Sequence, residues 1–132
     1  MEDIQSMTSL NIPRHVGLSK RNVDTVQVHV FCDASDVGYG AVGYLKVTTD
    51  GHTSCHFLMG KSHVAPKKVA NVPRMELVAA VFAVKLTRHL VKELKYSVSS
   101  AFIWTDSIIL LYYLKNTSSR YTTYVANCLW NI

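Results

Sequence analysis

The feature that most limits the possible folds is a switch of hydrophobic period along the chain. From Thr25, Val26, Val28, Val30 and Cys32 alternate with Gln27, His29, Phe31 and Asp33. A period of two marks a half-buried strand. Ser35-Asp36-Val37-Gly38 reads as a turn. A second strand runs over Tyr39 to Val47, Asp50-Gly51 signals a hairpin, and a third strand runs over Thr53 to Met59. Lys61 to Val72 reads as a polar, basic connection. After Pro73 the period changes. Val78, Phe82, Leu86, Leu90 and Leu94 recur at i+4, joined by Val81 and Val91, which predicts a long helix with that stripe inward. Ala101 to Thr105 returns to a strand, Ser107 caps a helix over Ile108 to Lys115, and Tyr121 to Ile132 reads as a third helix. A strand reached through a helix crosses over right-handedly and lies parallel to an earlier strand. The predicted fold is therefore α/β, a mixed sheet with flanking helices. Strands 1 to 3 are antiparallel and strand 4 is parallel to strand 1.

A chain of 132 residues fits one domain with one core. Residues 1 to 24 have no firm period and read as a lead-in or linker, with the domain spanning 25 to 132. The longest apolar runs, Leu77 to Val84 and Ile108 to Leu114, are too short to span a bilayer. The first thirty residues lack the apolar core of a signal peptide, so an intracellular site, cytoplasmic or nuclear, is expected. Cys32, Cys55 and Cys128 are odd in number and lack metal-binding spacing, which favours buried free thiols. The six histidines form no ligand set, and Trp104, Tyr112 and Tyr113 read as core residues.

Only nine residues are Asp or Glu, and three of these stand at structural junctions. Asp33 closes the first strand, Glu76 falls in the first turn of the long helix, and Asp106 closes the fourth strand. Strands 1 and 4, if adjacent and parallel, carry Asp33 and Asp106 to the same edge, where open α/β sheets bind ligands. Converging carboxylates can hold Mg²⁺ through oxygen, and a pair of such ions can cleave a phosphodiester. The net charge is +5, and no acid lies between Gly51 and Met75, where Lys61, Lys67, Lys68 and Arg74 all occur. A basic stretch beside an acidic metal site suits a polyanionic substrate. Each acid also has a plain structural reading. Asp33 can start a turn, Glu76 can complement the helix dipole, and Asp106 can cap the second helix.

Three motifs together carry a family resemblance. Phe31-Cys32-Asp33-Ala34-Ser35, Pro73-Arg74-Met75-Glu76-Leu77 and Trp104-Thr105-Asp106-Ser107 resemble the ribonuclease H domain of retroelement reverse transcriptases, in particular the BEL/Pao class of LTR retrotransposons. Tyr39-Gly40-Ala41-Val42, Lys61-Ser62-His63-Val64-Ala65-Pro66 and Tyr124-Val125-Ala126-Asn127 extend the similarity. The resemblance implies a ribonuclease H-like sheet of order 3-2-1-4-5 and Mg²⁺-dependent hydrolysis of the RNA strand of an RNA–DNA hybrid. Two Mg²⁺ ions are implied, with Mn²⁺ as a substitute, held by Asp33, Glu76 and Asp106. Asn71 and Arg74 are implied at the substrate minor groove, and Ser35, Lys61, Lys67 and Lys68 are expected beside them on the substrate side. The natural partners would be the hybrid and the rest of a polyprotein, reverse transcriptase and integrase included, with no membrane. The family also uses a fifth strand and a fourth carboxylate near its C-terminus, whereas no acid follows Asp106 here. The expectation is thus a C-terminally incomplete domain. A catalytically silent nucleic-acid-binding or structural remnant is the alternative.

Overall fold

The computed structural model describes Ser9, Asn11 and residues 23–67 and 71–116. The lead-in over most of 1 to 24, Lys68, Cys128 and the expected helix at Tyr121 to Ile132 lie outside the described residues. The elements run β1 (Thr25–Ala34), β2 (Gly38–Thr49), β3 (His52–Val64), α1 (Val72–Glu93), β4 (Ser100–Trp104) and α2 (Ile108–Lys115). The sheet order is β3-β2-β1-β4. β1 pairs antiparallel with β2, β2 antiparallel with β3, and β4 parallel with β1. The expected mixed topology is therefore present.

The β2–β3 hairpin turns at Asp50 and Gly51, with φ of 47° and 79°. Two successive positive φ values are the mark of a type I′ turn, whose twist matches that of its strands. β3 is longer than its alternation suggests. The ladder shifts between Gly43, opposite Met59, and Tyr44, opposite Phe57. A shift of this kind makes room for one extra residue, so Leu58 and Met59 both pack against the core. Beyond the shift the strand continues to Val64, with Lys61 opposite Ala41 and Ser62 opposite Gly40. Lys61 is thus a strand residue and not part of a loop. Polar and charged residues are what an edge strand carries to discourage pairing with other chains.

One face of the sheet holds the core. Val26, Val28, Val30 and Cys32 of β1 and Ala41, Leu45 and Val47 of β2 are buried with Ala79, Ala83, Leu86 and Leu90 of α1. The helix stripe differs from the i+4 row expected. Met75, Ala79, Ala83, Leu86 and Leu90 are buried, whereas Val78, Val81 and Phe82 are half-buried and Val91 is exposed. Alanines let the helix lie close on the strands, so the larger Val78 and Phe82 move to the flank. A second cluster joins Leu77 and Ala80 of α1 to Leu110 of α2. Elsewhere α2 is mostly exposed, including Ile108 and Tyr112, so Tyr112 is not the core residue expected.

The opposite face is open and aromatic. Phe31 is 45% exposed and Trp104 49%, so Trp104 is not a core residue. Its ring stacks on Phe31 at 6.0 Å and on His29 at 6.1 Å, and His29 stacks on Phe102 at 5.0 Å. Trp104 Nε1 donates to His29 Nδ1 at 3.0 Å. His29 Nε2 then carries the proton and donates to Gln27 Oε1 at 3.2 Å. Burial first, then Lys46, lowers the His29 pKa. The folded protein therefore binds fewer protons than the unfolded chain below the ordinary histidine value of about 6.5. The stability this contributes is complete above that value and declines as pH falls through it to the folded pKa. Chemical denaturation at stepped pH should show that decline, and His29→Gln should flatten it.

Candidate functional site

β1 and β4 run side by side in the same direction, with Phe31 opposite Trp104. Both strands leave the sheet at the same end, and each does so beside an acid. Asp33 is the penultimate residue of β1, and Asp106 lies two residues beyond β4. They line one groove of about 780 Å³. Its walls also include Phe31, Trp104, Thr105 and Lys61, and its floor crosses Gly40, Gly60 and Ser62. The groove is therefore acidic at the β1–β4 end and carries a lysine on the β3 side.

Beneath the two acids lies Cys32, buried and free. Its Sγ contacts the Trp104 carbonyl at 3.5 Å. Burial pushes the thiol pKa up, a hydrogen bond with Thr105 opposes this, and Asp106 and Asp33 add to the rise. A thiol held in its neutral form is a poor nucleophile, so Cys32 acts as floor. Cys55, expected to be buried, is exposed.

Glu76 reaches the same end of the molecule from α1. Asn71 caps α1, its side chain accepting from Arg74 N at 3.0 Å, and Pro73 follows in the first turn, where its missing N–H costs nothing. Counted from that cap, Glu76 belongs to the second turn, and the first contains no acid. Its position thus reflects approach to α2 more than the helix dipole. Glu76 Oε2 accepts from Ser107 Oγ at 2.5 Å, directly after Asp106. The Asp33 carboxylate is also engaged, accepting from Ala34 N at 2.7 Å. Among the described residues no three His, Cys, Asp or Glu side chains form a group that could hold a metal ion as they stand. The acids are gathered at one end, but their carboxylates are not converged on one point.

The remaining expected substrate residues are spread more widely. Ser35 builds the β1–β2 turn, where its Oγ accepts from Val37 N at 3.3 Å and donates to the Gly38 carbonyl at 3.4 Å. Asn71 is engaged as the helix cap. Lys67 and Arg74 are exposed and are not among the residues that line the groove. Sequence reasoning missed Gly40, Gly60 and Ser62 as the groove floor, and it read Ser107 only as a cap. The Lys61-Ser62 motif carried the signal, but its place on a strand beside Gly40 emerges only once the register is known.

The floor can be tested by filling it. A Cβ on Gly60 would meet Phe57 and Val42 at 3.8 Å, ordinary contact distance. Gly60→Leu should therefore fold normally while projecting into the groove. If the groove holds a nucleic-acid duplex, as the resemblance implies, its affinity should fall about tenfold or more, equal to about 1.4 kcal/mol. A normal melting curve with unchanged affinity would place the ligand elsewhere.

Among the described residues no helix is long and apolar enough to cross a membrane. No curated protein matches the chain. Residues 1–107 match the Pao retrotransposon-like RNaseH-like domain, so the chain belongs to that family and its sheet is a ribonuclease H-like α/β fold.

Proposed function

We propose that this domain hydrolyses the RNA strand of an RNA–DNA hybrid in a Mg²⁺-dependent reaction, within a retrotransposon polyprotein. The observation that carries the reading is the placement of Asp33, at the end of β1, and Asp106, two residues beyond the adjacent parallel β4, around one groove. The donor chemistry fits the metal. Mg²⁺ prefers carboxylate oxygen and is commonly held by one or two carboxylates plus substrate phosphate. Asp33 and Asp106 would supply those ligands, with Glu76 joining from α1. Bound Mg²⁺ would lower the pKa of a water and offset charge on the leaving oxygen.

The chain's own residues supply the rest. Lys61 lines the groove opposite the acids and would hold a backbone phosphate by charge. The open floor at Gly40 and Gly60 lets a sugar–phosphate backbone approach the sheet closely. Contacts to the 2′-hydroxyl would distinguish RNA from DNA. Lys67, Lys68, Asn71, Arg74 and Ser35 would extend the contact along the duplex. Cleavage in line would leave a 5′-phosphate and a 3′-hydroxyl.

A second reading follows from the unconverged carboxylates. With Asp33 turned to Ala34 N and Glu76 to Ser107, the same groove could bind nucleic acid without cutting it. One experiment separates the two. A hybrid labelled on its RNA strand is incubated with the purified chain in Mg²⁺, in Mn²⁺ and in EDTA. Metal-dependent RNA cleavage supports the first reading. Salt-sensitive binding with no cleavage in either metal supports the second.

A further inference from the structure

Among the described residues two polar side chains are buried within the fold, Thr87 and Ser107. Thr87 is accounted for locally, since its hydroxyl donates to the Ala83 carbonyl at 2.7 Å in its own helix. Ser107 is different. It is 4% exposed and its hydroxyl ties the start of α2 to Glu76 of α1, a residue 31 positions away in sequence. The direction of each bond follows from chemistry. Leu110 N–H can only donate, so Ser107 Oγ accepts from it, at 3.2 Å. The single hydroxyl proton is left for Glu76 Oε2. The backbone N–H of Ser107 donates to Thr105 Oγ1 at 3.1 Å, fixing the turn that carries Asp106 between them. Leu110 also packs its side chain against Leu77 and Ala80, the neighbours of Glu76 on α1.

We infer that Ser107 is a positioning residue for Glu76. One hydroxyl starts α2 and at the same time holds one oxygen of the Glu76 carboxylate beside Asp106, leaving the other oxygen for a metal ion. The inference rests on the metal reading proposed above. It predicts that the cap and the positioning can be separated. Ser107→Thr keeps both the hydroxyl and the cap. Ser107→Asp keeps an oxygen that can accept from Leu110 N–H, but offers no proton to Glu76 and sets a second carboxylate against it. Ser107→Ala removes both functions.

The test uses the 132-residue chain and two readouts. The first is Mn²⁺ affinity by calorimetry, on variants whose melting shows them folded. Outer-sphere partners of metal ligands typically govern affinity by about 10–100-fold. Ser107→Asp should therefore bind Mn²⁺ at least about tenfold more weakly, and Ser107→Thr should match the unsubstituted chain. The second readout needs no metal. Melting temperatures of Glu76→Gln, Ser107→Ala and the double variant form a cycle, and the two substitutions should be clearly non-additive. Additive effects overturn the inference. So does coupling accompanied by undiminished Mn²⁺ affinity in Ser107→Asp, which leaves Ser107 a structural partner of Glu76 without bearing on the metal. Failure of the unsubstituted chain to bind Mn²⁺ at all would overturn the metal reading itself, and the role of Ser107 with it.

Discussion

Asp33→Asn should reduce Mg²⁺-dependent cleavage of a hybrid by on the order of 10³-fold, the scale seen when one electrostatic group aimed at the reacting atoms is lost. The substitution is nearly isosteric. The asparagine side chain would retain an oxygen able to accept from Ala34 N, so the end of β1 should keep its shape. What disappears is the negative charge at the junction of β1 and β4, where Asp33 and Asp106 share the groove. Asp36→Asn is the matched control. Asp36 is an exposed acid in the adjoining turn, and its loss changes net charge by the same unit. Gel analysis of the labelled RNA strand distinguishes them. Full cleavage by Asp33→Asn, in protein freed of contaminating nuclease, would move the chemistry to another site. Equal losses in the two variants would point to overall charge and not to a ligand.

The parts of this site that are legible in the sequence are those set by local pattern and chain topology. Period two over Val26 to Cys32 places Asp33 at a strand end, and a helix between two strands places Asp106 beside it. No contact information is needed for either step. The failures share a physical cause, which is that they depend on what stands opposite. β3 reads as ending early in sequence only because its alternation breaks near Leu58 and then turns polar at Lys61-Ser62-His63. A register shift and an exposed edge produce that pattern as readily as a loop does. The inward stripe of α1 is hard to place because the largest apolar side chains are not the inward ones. The sheet instead selects Ala79 and Ala83, which allow close approach. Trp104 suggests core by its size, yet it stands on the open face. The Ser107–Glu76 bond joins α2 to α1 across a whole strand, and no local window contains it.

Leu45→Ala should be among the most destabilising single substitutions, costing about 2–5 kcal/mol. Leu45 is 0% exposed, lies at the middle of β2 opposite Val28, and belongs to the cluster closed by Ala83, Leu86 and Leu90 of α1. Its neighbours sit on both a strand ladder and a helix, so they cannot collapse into the space left behind. Against a typical total of about 5–15 kcal/mol, a loss of that size leaves little margin at physiological temperature. Phe31→Ala is the contrasting change on the other side of the same sheet. Phe31 is larger, but it is nearly half exposed and its main partners are the rings of Trp104 and Tyr44. Loss of such ring contacts costs roughly 0.5–1.5 kcal/mol beyond the area buried. Urea midpoints should therefore fall much further for Leu45→Ala than for Phe31→Ala, although the latter removes more atoms. The reverse order would mean that the face bearing His29, Phe31 and Trp104 is the packed one. In that case Val26, Val28 and Val30 would not be the core, and Asp33 would be turned inward with the aromatic side chains and not toward an open groove.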